Sequence, residues 1–324
     1  MTALAPGQSG ARTRVVVSAP GGIGNLGPGL DVLGCAVAGL RDEVTAEWCD
    51  AASVTLLDAG HPELPTDPAR HTSAIAASAV LDAAIRSGAR LPAPGIALTV
   101  RKALPLSGGQ GGSAASAVAG AVAADALCGS VLDQTSLLSC CLLAEETVAG
   151  RHLDNIAPSL LGGIVLVRSV DPIDVVRLPI PDGLHIVLAQ PAQRLRTSDA
   201  RGVLPASLPR SLALHQMAQV AAIVAACYAN DLALLGRSID DRIAEPARAP
   251  LLPGFLAAKH AAMTAGALGA SISGAGPTSF ALVAGEDVAE RVATAMHDAY
   301  AGAGVESSTR VTHVDPNGAV VKAA

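Results

Sequence analysis

Aromatic residues are scarce in this chain: Phe, Trp and Tyr together make up 2% of its 324 residues. Half of the sequence is hydrophobic, so a sizeable core is expected to consist mainly of Ala, Val, Leu and Ile. No basic cluster interleaved with aromatics is present, and the formal net charge is −6. An acidic chain without such a cluster is not expected to use nucleic acid as its main partner.

Long apolar runs, paired cysteines and targeting signals are also missing. No run reaches the length of about 18 apolar residues that a membrane span needs, so we expect no membrane partner. The N-terminal sequence MTALAPGQSGARTR lacks the features of a signal peptide and is predicted to be a short disordered tail. The six cysteines form no C-x-x-C pair, which argues against a zinc site and favours buried free thiols in a reducing cytoplasm.

Glycine-rich turns are what the sequence does contain. Three of them, Gly21–Gly29, Gly108–Gly112 and Gly274–Gly276, lead directly into or out of apolar segments. Glycine has no Cβ and accepts positive φ angles, so such turns allow the backbone to approach a ligand closely. Phosphate is the leading candidate ligand, because N–H groups at helix starts bind anions without a lysine.

The hydrophobic periodicity predicts a mixture of strands and helices. Strands are predicted at 14–18, 44–48, 53–57, 96–100, 163–167, 185–188, 278–283 and 305–314. Helices are predicted at 72–86, 113–127, 133–148, 211–230, 255–265 and 288–300, while 30–40 could be either. The strands come in hairpin-like groups rather than in strict alternation with helices, which favours an α+β fold over a doubly wound sheet.

The first turn allows an alternative interpretation as a dinucleotide-binding fingerprint. Gly22, Gly24 and Gly27 form G-x-G-x-x-G after a predicted strand, and Asp42 follows at about the required spacing. Pro28, however, interrupts the place where the helix of that motif should already be running. The fingerprint also leaves the other two glycine turns unexplained.

The second turn leads into a predicted helix and resembles a phosphate cradle. Its sequence, PLSGGQGGSAAS over 105–116, would leave several N–H groups free at the positive end of the helix dipole. Ser113 is expected to cap that helix, and its hydroxyl could bind a phosphate oxygen or Mg²⁺. No lysine follows a glycine anywhere, so this is not a Walker-type loop. A flexible glycine loop before a capped helix explains the same residues equally well.

Three stretches resemble the motifs of the GHMP small-molecule kinases: NLGPGLDVLG at 25–34, the serine-bearing glycine loop at 105–116, and SGAGPT at 273–278. Within that superfamily the chain resembles the homoserine kinases. This narrower resemblance rests on HLDNIAPSLLGG at 152–163, TSDARGVLP at 197–205 and EPAR at 245–248. The motifs occur in the family's order from about residue 13 to the C-terminus.

The resemblance implies a fold and an activity. The fold would be the α+β GHMP kinase fold, with a domain of ribosomal-protein-S5-like topology over 13–168 and a ferredoxin-like domain over 169–324. The activity would be transfer of a phosphoryl group from ATP, with Mg²⁺, to the side-chain hydroxyl of L-homoserine. Family membership further implies threonine biosynthesis in the cytoplasm and a homodimer.

Roles for individual residues follow from the same resemblance. Asp31 would bind the substrate ammonium, and Arg201 and Arg248 would clamp its carboxylate, which suits a planar bidentate donor. The homoserine pocket would also be lined by Asn25, His152, Asp154, Asn155 and the backbone of Gly274. Catalytic roles are implied for Asn155, Thr197 and Ser113, with Thr197 near the transferred phosphate.

The nucleotide and the metal would lie on the other side of the site. Residues implied to bind the nucleotide are Pro105, Ser107, Gly108, Gly109, Gly111, Gly112, Ser113 and Ser116. Ser113 and Glu145 would hold Mg²⁺, although Glu146 is adjacent and spacing alone does not choose between the two carboxylates.

Three positions depart from the family pattern. The second motif, usually G-L-G-S-S-A-A, here has Gln110 in place of leucine and Gly112 in place of the first serine. His71 stands where an asparagine is common near the adenine pocket. A kinase for another hydroxylated metabolite, such as shikimate or mevalonate, stays open as an alternative. The changes themselves fall on the nucleotide side and raise a second alternative, a catalytically weak ligand-binding homologue. They also lead to the expectation that Gln110→Leu with Gly112→Ser tightens ATP binding.

Overall fold

A long β-hairpin forms the centre of the first sheet. In the computed structural model, which describes residues 12–322, β1 (Arg14–Gly24) pairs antiparallel with β2 (Leu33–Cys49). The remaining strands of this seven-stranded sheet are β3 (Val54–Asp58), β4 (Gly95–Arg101), β5 (Ile164–Val170), β6 (Ile173–Leu178) and β11 (Val320–Val321). β1 is buried along nearly its whole length, as expected for a strand covered on both faces.

Four helices pack against this sheet: α1 (Thr72–Arg86), α2 (Gly112–Leu127), α3 (Gln134–Glu146) and α4 (Ile156–Leu161). α2 is rich in alanine and almost entirely buried, because its small side chains let the neighbouring elements approach closely. The predicted hydroxyl cap of α2 is wrong. Gly111, with a φ of 66°, occupies the N-cap position, and Ser113 is the second residue of the helix. α3 does begin as predicted, with the Asp133 side chain accepting from the Ser136 N–H.

The second sheet has four antiparallel strands in the order β10-β7-β9-β8. They are β7 (Leu184–Pro191), β8 (Gly269–Ile272), β9 (Ser279–Ala284) and β10 (Ser307–Thr312). The helices of this half are α5 (Thr197–Gly202), α6 (Arg210–Ala229), α7 (Leu232–Arg237), α8 (Ala244–Arg248), α9 (Phe255–Thr264) and α10 (Glu286–Gly302). A core cluster that includes Ile23 of β1, Leu33 of β2 and Phe280 of β9 joins the two sheets. The site described below lies where these two halves meet.

The sheet pairing differs from the expected division at residues 168 and 169. That boundary falls inside β5, which continues through a tight hairpin into β6, so the first sheet extends to Leu178. β11 then returns from the end of the chain to pair with β1, with Ser18 opposite Val320. Prolines and glycines mark this hairpin in the sequence, but they do not show which sheet it joins.

Other expectations from the sequence have plain outcomes. The segment left open between helix and strand is strand from Leu33 onward. All six cysteines are unpaired, and four of them are buried. Residues 1–11 of the predicted N-terminal tail lie outside the described residues. Among residues 12–322, α6 alone is long and apolar enough to cross a membrane by length and composition, with 22% of its most apolar window buried.

Candidate functional site

The three glycine turns, far apart in the sequence, meet in space. The Gly22 N–H donates to the Gln110 carbonyl at 3.0 Å, which joins the first turn to the second. The Gly274 N–H donates to the Gly24 carbonyl at 3.0 Å, which joins the third turn to the first. Gly24 has no room for a side chain, because a Cβ there would lie 2.5 Å from the Asn155 side-chain nitrogen.

The dinucleotide-binding interpretation of the first turn is wrong. Gly22 and Gly24 lie within β1 and pair antiparallel with β2, and a strand rather than a helix follows the turn. Asp42, the residue at the ribose-binding spacing, is fully buried. It forms an ion pair with Lys102 and accepts from the Ser116 hydroxyl at 2.8 Å. It is therefore a structural carboxylate with no access to a nucleotide ribose.

The second turn presents its backbone N–H groups because its carbonyls point into the protein. Three successive carbonyls accept hydrogen bonds: Gly108 from the Thr278 hydroxyl at 2.6 Å, Gly109 from the Ser273 hydroxyl at 2.7 Å, and Gln110 from the Gly22 N–H at 3.0 Å. Within residues 12–322, no protein acceptor takes the N–H groups of Gly109, Gly111, Gly112 or Ser113. These free donors stand at the N-terminus of α2, where the helix dipole favours an anion.

A cavity of about 480 Å³ opens in front of this loop. It is lined by the predicted residues Pro105, Ser107, Gly108, Gly109, Gly111, Gly112, Ser113, Ser116, Glu145, His152, Asn155, Thr197 and Gly274. The other predicted residues, Asn25, Asp31, Asp154, Arg201 and Arg248, form a polar cluster beside it. His152 and Gly274 belong to both, because His152 contacts Asp154 and Gly274 accepts from Arg248.

Ser113 and Glu145 face each other at one end of the cavity. The Ser113 hydroxyl lies 3.4 Å from a carboxylate oxygen of Glu145, which is buried. Burial raises the pKa of Glu145 to about 7; the positive charge of His152 opposes this rise, and the negative charge of Asp154 adds to it. A hydroxyl and a carboxylate are oxygen ligands of the kind that Mg²⁺ prefers.

Glu146, the alternative carboxylate, points away from this pair. Its side chain accepts from Arg151 at 2.8 Å on the exposed side of the helix end. Glu146 does not line the cavity, whereas Glu145 does. The geometry therefore favours Glu145 over Glu146 as the carboxylate available to a metal.

His152 and Asp154 form a hydrogen-bonded pair that holds the backbone of the first turn. The two ring nitrogens of His152 face the Asp154 carboxylate at 3.1 Å and the Ala149 carbonyl at 3.0 Å. Burial alone would lower the pKa of His152, but the hydrogen bond and charge of Asp154 outweigh it and raise the pKa to about 9. The other Asp154 oxygen accepts from the Asn25 N–H at 3.0 Å, which helps to hold Asn25 at its φ of 68°.

The polar cluster combines one carboxylate with two guanidinium groups. Arg201 donates to both oxygens of Asp31, at 2.6 and 3.2 Å, as a bidentate pair. Arg248 donates to the Ala200 carbonyl at 3.1 Å and to the Gly274 carbonyl at 2.8 Å. The Arg201 Nε is buried without an acceptor among the described residues. Asp31 and Arg201 therefore neutralise each other, and the Arg201 Nε is a buried donor open to a further acceptor.

The same cluster could be mistaken for a metal site. Asp31, His152 and Asp154 place possible ligand atoms within 4.8 Å of one another. Asp31, however, is already paired with Arg201. His152 also has both nitrogens occupied by acceptors, which leaves no lone pair for a metal. These contacts favour an organic ligand that carries charges of both signs.

Comparison with known proteins identifies the family. The family models for the N-terminal domain and the C-terminal region of GHMP kinases match residues 73–163 and 223–302. A homoserine kinase from Chlorobium phaeobacteroides is 41% identical over 286 residues, covering 86% of this chain and 89% of that protein. One from Arabidopsis thaliana is 39% identical over 311 residues, covering 93% of this chain and 82% of that protein. The chain belongs to the homoserine kinases.

The fold agrees with this assignment. The crystal structure of a homoserine kinase from Cytophaga hutchinsonii superposes with a TM-score of 0.91 at 37% identity, covering 98% of this chain and 100% of that one. The predicted α+β class and GHMP kinase fold are thus confirmed.

One residue of this homoserine kinase site escaped the sequence analysis. Lys102 lines the cavity; its ammonium pairs with Asp42 and donates to the Gly112 carbonyl at 2.8 Å and the Ser116 hydroxyl at 3.0 Å. A search for a lysine after a glycine passes over it, because it precedes the loop. Its position directly after β4, three residues before Pro105, is the signal that could have found it.

Gln110, Gly112 and His71, the three departures from the family pattern, are each explained by contacts within the protein. The Gln110 side chain is buried and turned away from the cavity, towards the second sheet. A side chain at Gly112 would place its Cβ 3.3 Å from the Lys102 ammonium, so glycine leaves room for that lysine. His71 lines the cavity, but its ring nitrogens are occupied by the Ala59 carbonyl at 3.2 Å and the Ser73 hydroxyl at 2.8 Å.

Proposed function

We propose that this homoserine kinase transfers the γ-phosphoryl group of ATP to the side-chain hydroxyl of L-homoserine, which yields O-phospho-L-homoserine. One observation carries the proposal: a cavity lined by a loop with free backbone N–H groups borders a cluster that holds a carboxylate and two guanidinium groups, and His152 and Gly274 belong to both. The loop suits a polyphosphate, and the cluster suits an amino acid with both of its charges.

The nucleotide phosphates would lie on the loop at 105–116, at the positive end of α2. Ser113 and Glu145 fit a Mg²⁺ ion by their chemistry, since both present oxygen ligands to the same part of the cavity. When bound, Mg²⁺ would neutralise charge on the phosphate oxygens. Thr197 stands at the first position of α5 across the cavity, and its hydroxyl has no partner among the described residues. It is therefore free to contact the transferred phosphate.

The amino acid would bind in the polar cluster. Its ammonium would be bound by Asp31, and its carboxylate by Arg248 together with the open Nε of Arg201. The Asp31–Arg201 pair would have to share or exchange contacts with the substrate, because both groups already satisfy each other. This arrangement fixes the two charges of the substrate and leaves its side-chain hydroxyl to point at the phosphates.

Phosphoryl transfer depends mainly on positioning and on neutralising charge. Asn155 lies against the loop, close enough that a Cβ at Gly111 would lie 2.9 Å from its side-chain oxygen. Asn155 also lines the cavity, and its side-chain amide is a neutral donor suited to orienting the reacting groups. His152 is unsuited to act as a general base, because it is held as an imidazolium by Asp154 and the Ala149 carbonyl. We therefore assign the reaction no strong protein base.

The test is turnover of MgATP by the purified protein with a panel of alcohols, each product being identified by mass. L-Homoserine, L-serine, shikimate and mevalonate span the alternatives. O-Phospho-L-homoserine as the best product supports the proposal. Turnover with another alcohol only would support the kinase activity but contradict L-homoserine as the acceptor. A folded protein without turnover on any of them would favour a ligand-binding homologue.

We also propose that the protein acts in threonine biosynthesis in the cytoplasm and forms a homodimer. α6 offers a surface for a second copy, since Leu214, Met217 and Tyr228 on it are 57%, 66% and 63% exposed. No Asp, Glu, Lys or Arg occurs between Arg210 and Asp231, so two copies of this helix could pair without burying a charge.

Light scattering tests the dimer. We expect twice the chain mass of 32.1 kDa for the wild type and the monomer mass for Met217→Glu. A monomeric wild type at micromolar concentration would contradict the proposal, and association with lipid vesicles would point to a membrane surface instead.

A further inference from the structure

Gln110 occupies the middle of the phosphate loop, but its side chain belongs to the other half of the molecule. The side chain is 4% exposed. Its Nε2 donates to the Gln190 side-chain oxygen of β7 at 2.9 Å and to the Thr278 hydroxyl at 3.3 Å. Its Oε1 accepts from the Arg310 guanidinium of β10 at 3.1 Å. The family motif has leucine at this position, and leucine could make none of these bonds.

Arg310 is a cation without a carboxylate partner. Within residues 12–322 no Asp or Glu oxygen lies within 4.0 Å of it. Among the described residues, its other hydrogen bond goes to the Ala38 carbonyl at 3.3 Å. Burial lowers the pKa of Arg310, and no neighbouring charge offsets that effect. A guanidinium stays ionised in proteins, so a positive charge remains directly behind the loop.

A continuous path of hydrogen bonds runs from this charge to the loop backbone. Arg310 donates to Gln110 Oε1, and Gln110 Nε2 donates to the Thr278 hydroxyl, which donates to the Gly108 carbonyl at 2.6 Å. All three hydrogen bonds are donated in the same sense, from Arg310 towards the Gly108 carbonyl. The amide orientation of Gln110 is fixed, because the reverse orientation would place its NH₂ group against the guanidinium. The path therefore helps to keep the Gly108 carbonyl turned away from the cavity.

We propose that Gln110 is a positioning residue that ties the phosphate loop to the second sheet, and that the unpaired charge of Arg310 strengthens phosphate binding through this connection. This inference rests on the proposed function in one respect, that the ligand of the loop is a nucleotide polyphosphate. It reverses the Gln110 part of the expectation that Gln110→Leu together with Gly112→Ser would tighten ATP binding. In this chain, leucine would leave Arg310 buried with one acceptor fewer and would free the loop from its anchor.

The experiment measures nucleotide affinity directly, by equilibrium titration with a non-hydrolysable ATP analogue and Mg²⁺. Gln110→Glu keeps an acceptor for Arg310 but cancels its charge and removes the donor to Gln190 and Thr278, so we expect the Kd to rise at least about tenfold. Gln110→Leu should raise the Kd and lower the melting temperature together. Gln134→Glu, the same charge change at the exposed start of α3, is the matched control and should leave the Kd within about twofold.

Variants of the arginine separate charge from packing. Arg310→Lys keeps the charge and should stay within about threefold of the wild-type Kd, whereas Arg310→Met should lose as much affinity as Gln110→Glu. Adding Arg310→Met to Gln110→Leu should restore the melting temperature that Gln110→Leu alone loses, because the buried charge is removed. The nucleotide affinity of the double variant should stay reduced. The KM for L-homoserine should change little in all of them, because none of these residues touches the Asp31 cluster.

Two results would overturn the inference. The first is a folded Gln110→Glu or Gln110→Leu protein that binds the analogue as tightly as the wild type. The second is a wild type that does not bind the analogue. A wild type that binds the analogue but fails to phosphorylate homoserine would instead contradict only the proposed substrate, and the Gln110 series would still decide the role of this connection.

Discussion

Replacing Glu145 by glutamine should make the protein more stable in the absence of nucleotide and lower its activity. Burial raises the pKa of this carboxyl from its ordinary value of 4.5 to about 7. Because the folded pKa is the higher one, the stability that the protonated form contributes is lost as the pH rises through about 7. At about pH 8 the ionised carboxylate destabilises the fold by about 3 kcal/mol.

Glutamine has nearly the same shape and does not ionise. We therefore expect Glu145→Gln to melt about 5 °C above the wild type at about pH 8, with the difference disappearing near pH 4.5. His152, whose pKa is raised from 6.5 to about 9, makes both proteins lose stability as the pH rises above about 6.5, so the quantity to compare is the difference between their melting temperatures at each pH. With Mg²⁺ and nucleotide present, kcat should fall on the order of 100-fold, because the carboxylate that we propose as a Mg²⁺ ligand is lost.

The assay is a series of thermal melts without nucleotide across this pH range, followed by initial rates with MgATP. Glu146→Gln is the matched control, since it removes the adjacent carboxylate that pairs with the exposed Arg151. It should change neither the pH dependence of melting nor kcat appreciably. Two results would contradict this prediction. One is a melting temperature of Glu145→Gln equal to that of the wild type at about pH 8 as well as near pH 4.5, and the other is a larger effect on kcat from Glu146→Gln.

Three further substitutions test separate parts of the site. Asp31→Asn should raise the KM for L-homoserine on the order of 100-fold and leave the KM for ATP nearly unchanged, since it removes a charge-assisted bond to the ammonium. A KM for L-homoserine equal to that of the wild type would remove Asp31 from the amino-acid site. Ser113→Ala should lower kcat by about tenfold or more at saturating substrates, and normal turnover would show that the metal is held elsewhere. Lys102→Met leaves the fully buried Asp42 unpaired, so chemical denaturation should show a loss of about 3 kcal/mol of stability; a loss below about 1 kcal/mol would show that Ser116 and the backbone suffice to hold that carboxylate.

The features that could be predicted from the sequence are those set by local residue patterns. The glycine turns need residues without a Cβ wherever two backbones touch, and Gly109 shows this, since its Cβ would lie 2.6 Å from the Gly276 carbonyl. The start of α3 follows from its aspartate cap, and α6 is found within one residue of the predicted limits. Local chemistry of this kind does not depend on the rest of the fold.

The features that could not be predicted depend on long-range pairing. Gln110 was expected to weaken ATP binding, but its side chain turns to Arg310, 200 positions away, which offers it a partner in the second sheet. Asp31 and Arg201 were expected to bind separate ends of the substrate, yet they pair with each other. Neither contact leaves a signature in residue spacing, because both join elements from different halves of the chain.

The most direct test of the account compares L-homoserine with analogues that lack one of its charges. 4-Hydroxybutyrate has no ammonium group for Asp31, and 3-aminopropan-1-ol has no carboxylate for Arg201 and Arg248, while both keep a hydroxyl for phosphorylation. If one cavity recognises both charges and presents the hydroxyl to ATP, kcat/KM should fall at least about 100-fold for each analogue. Analogues phosphorylated as efficiently as L-homoserine would contradict the assignment of the Asp31–Arg201–Arg248 cluster as the amino-acid site.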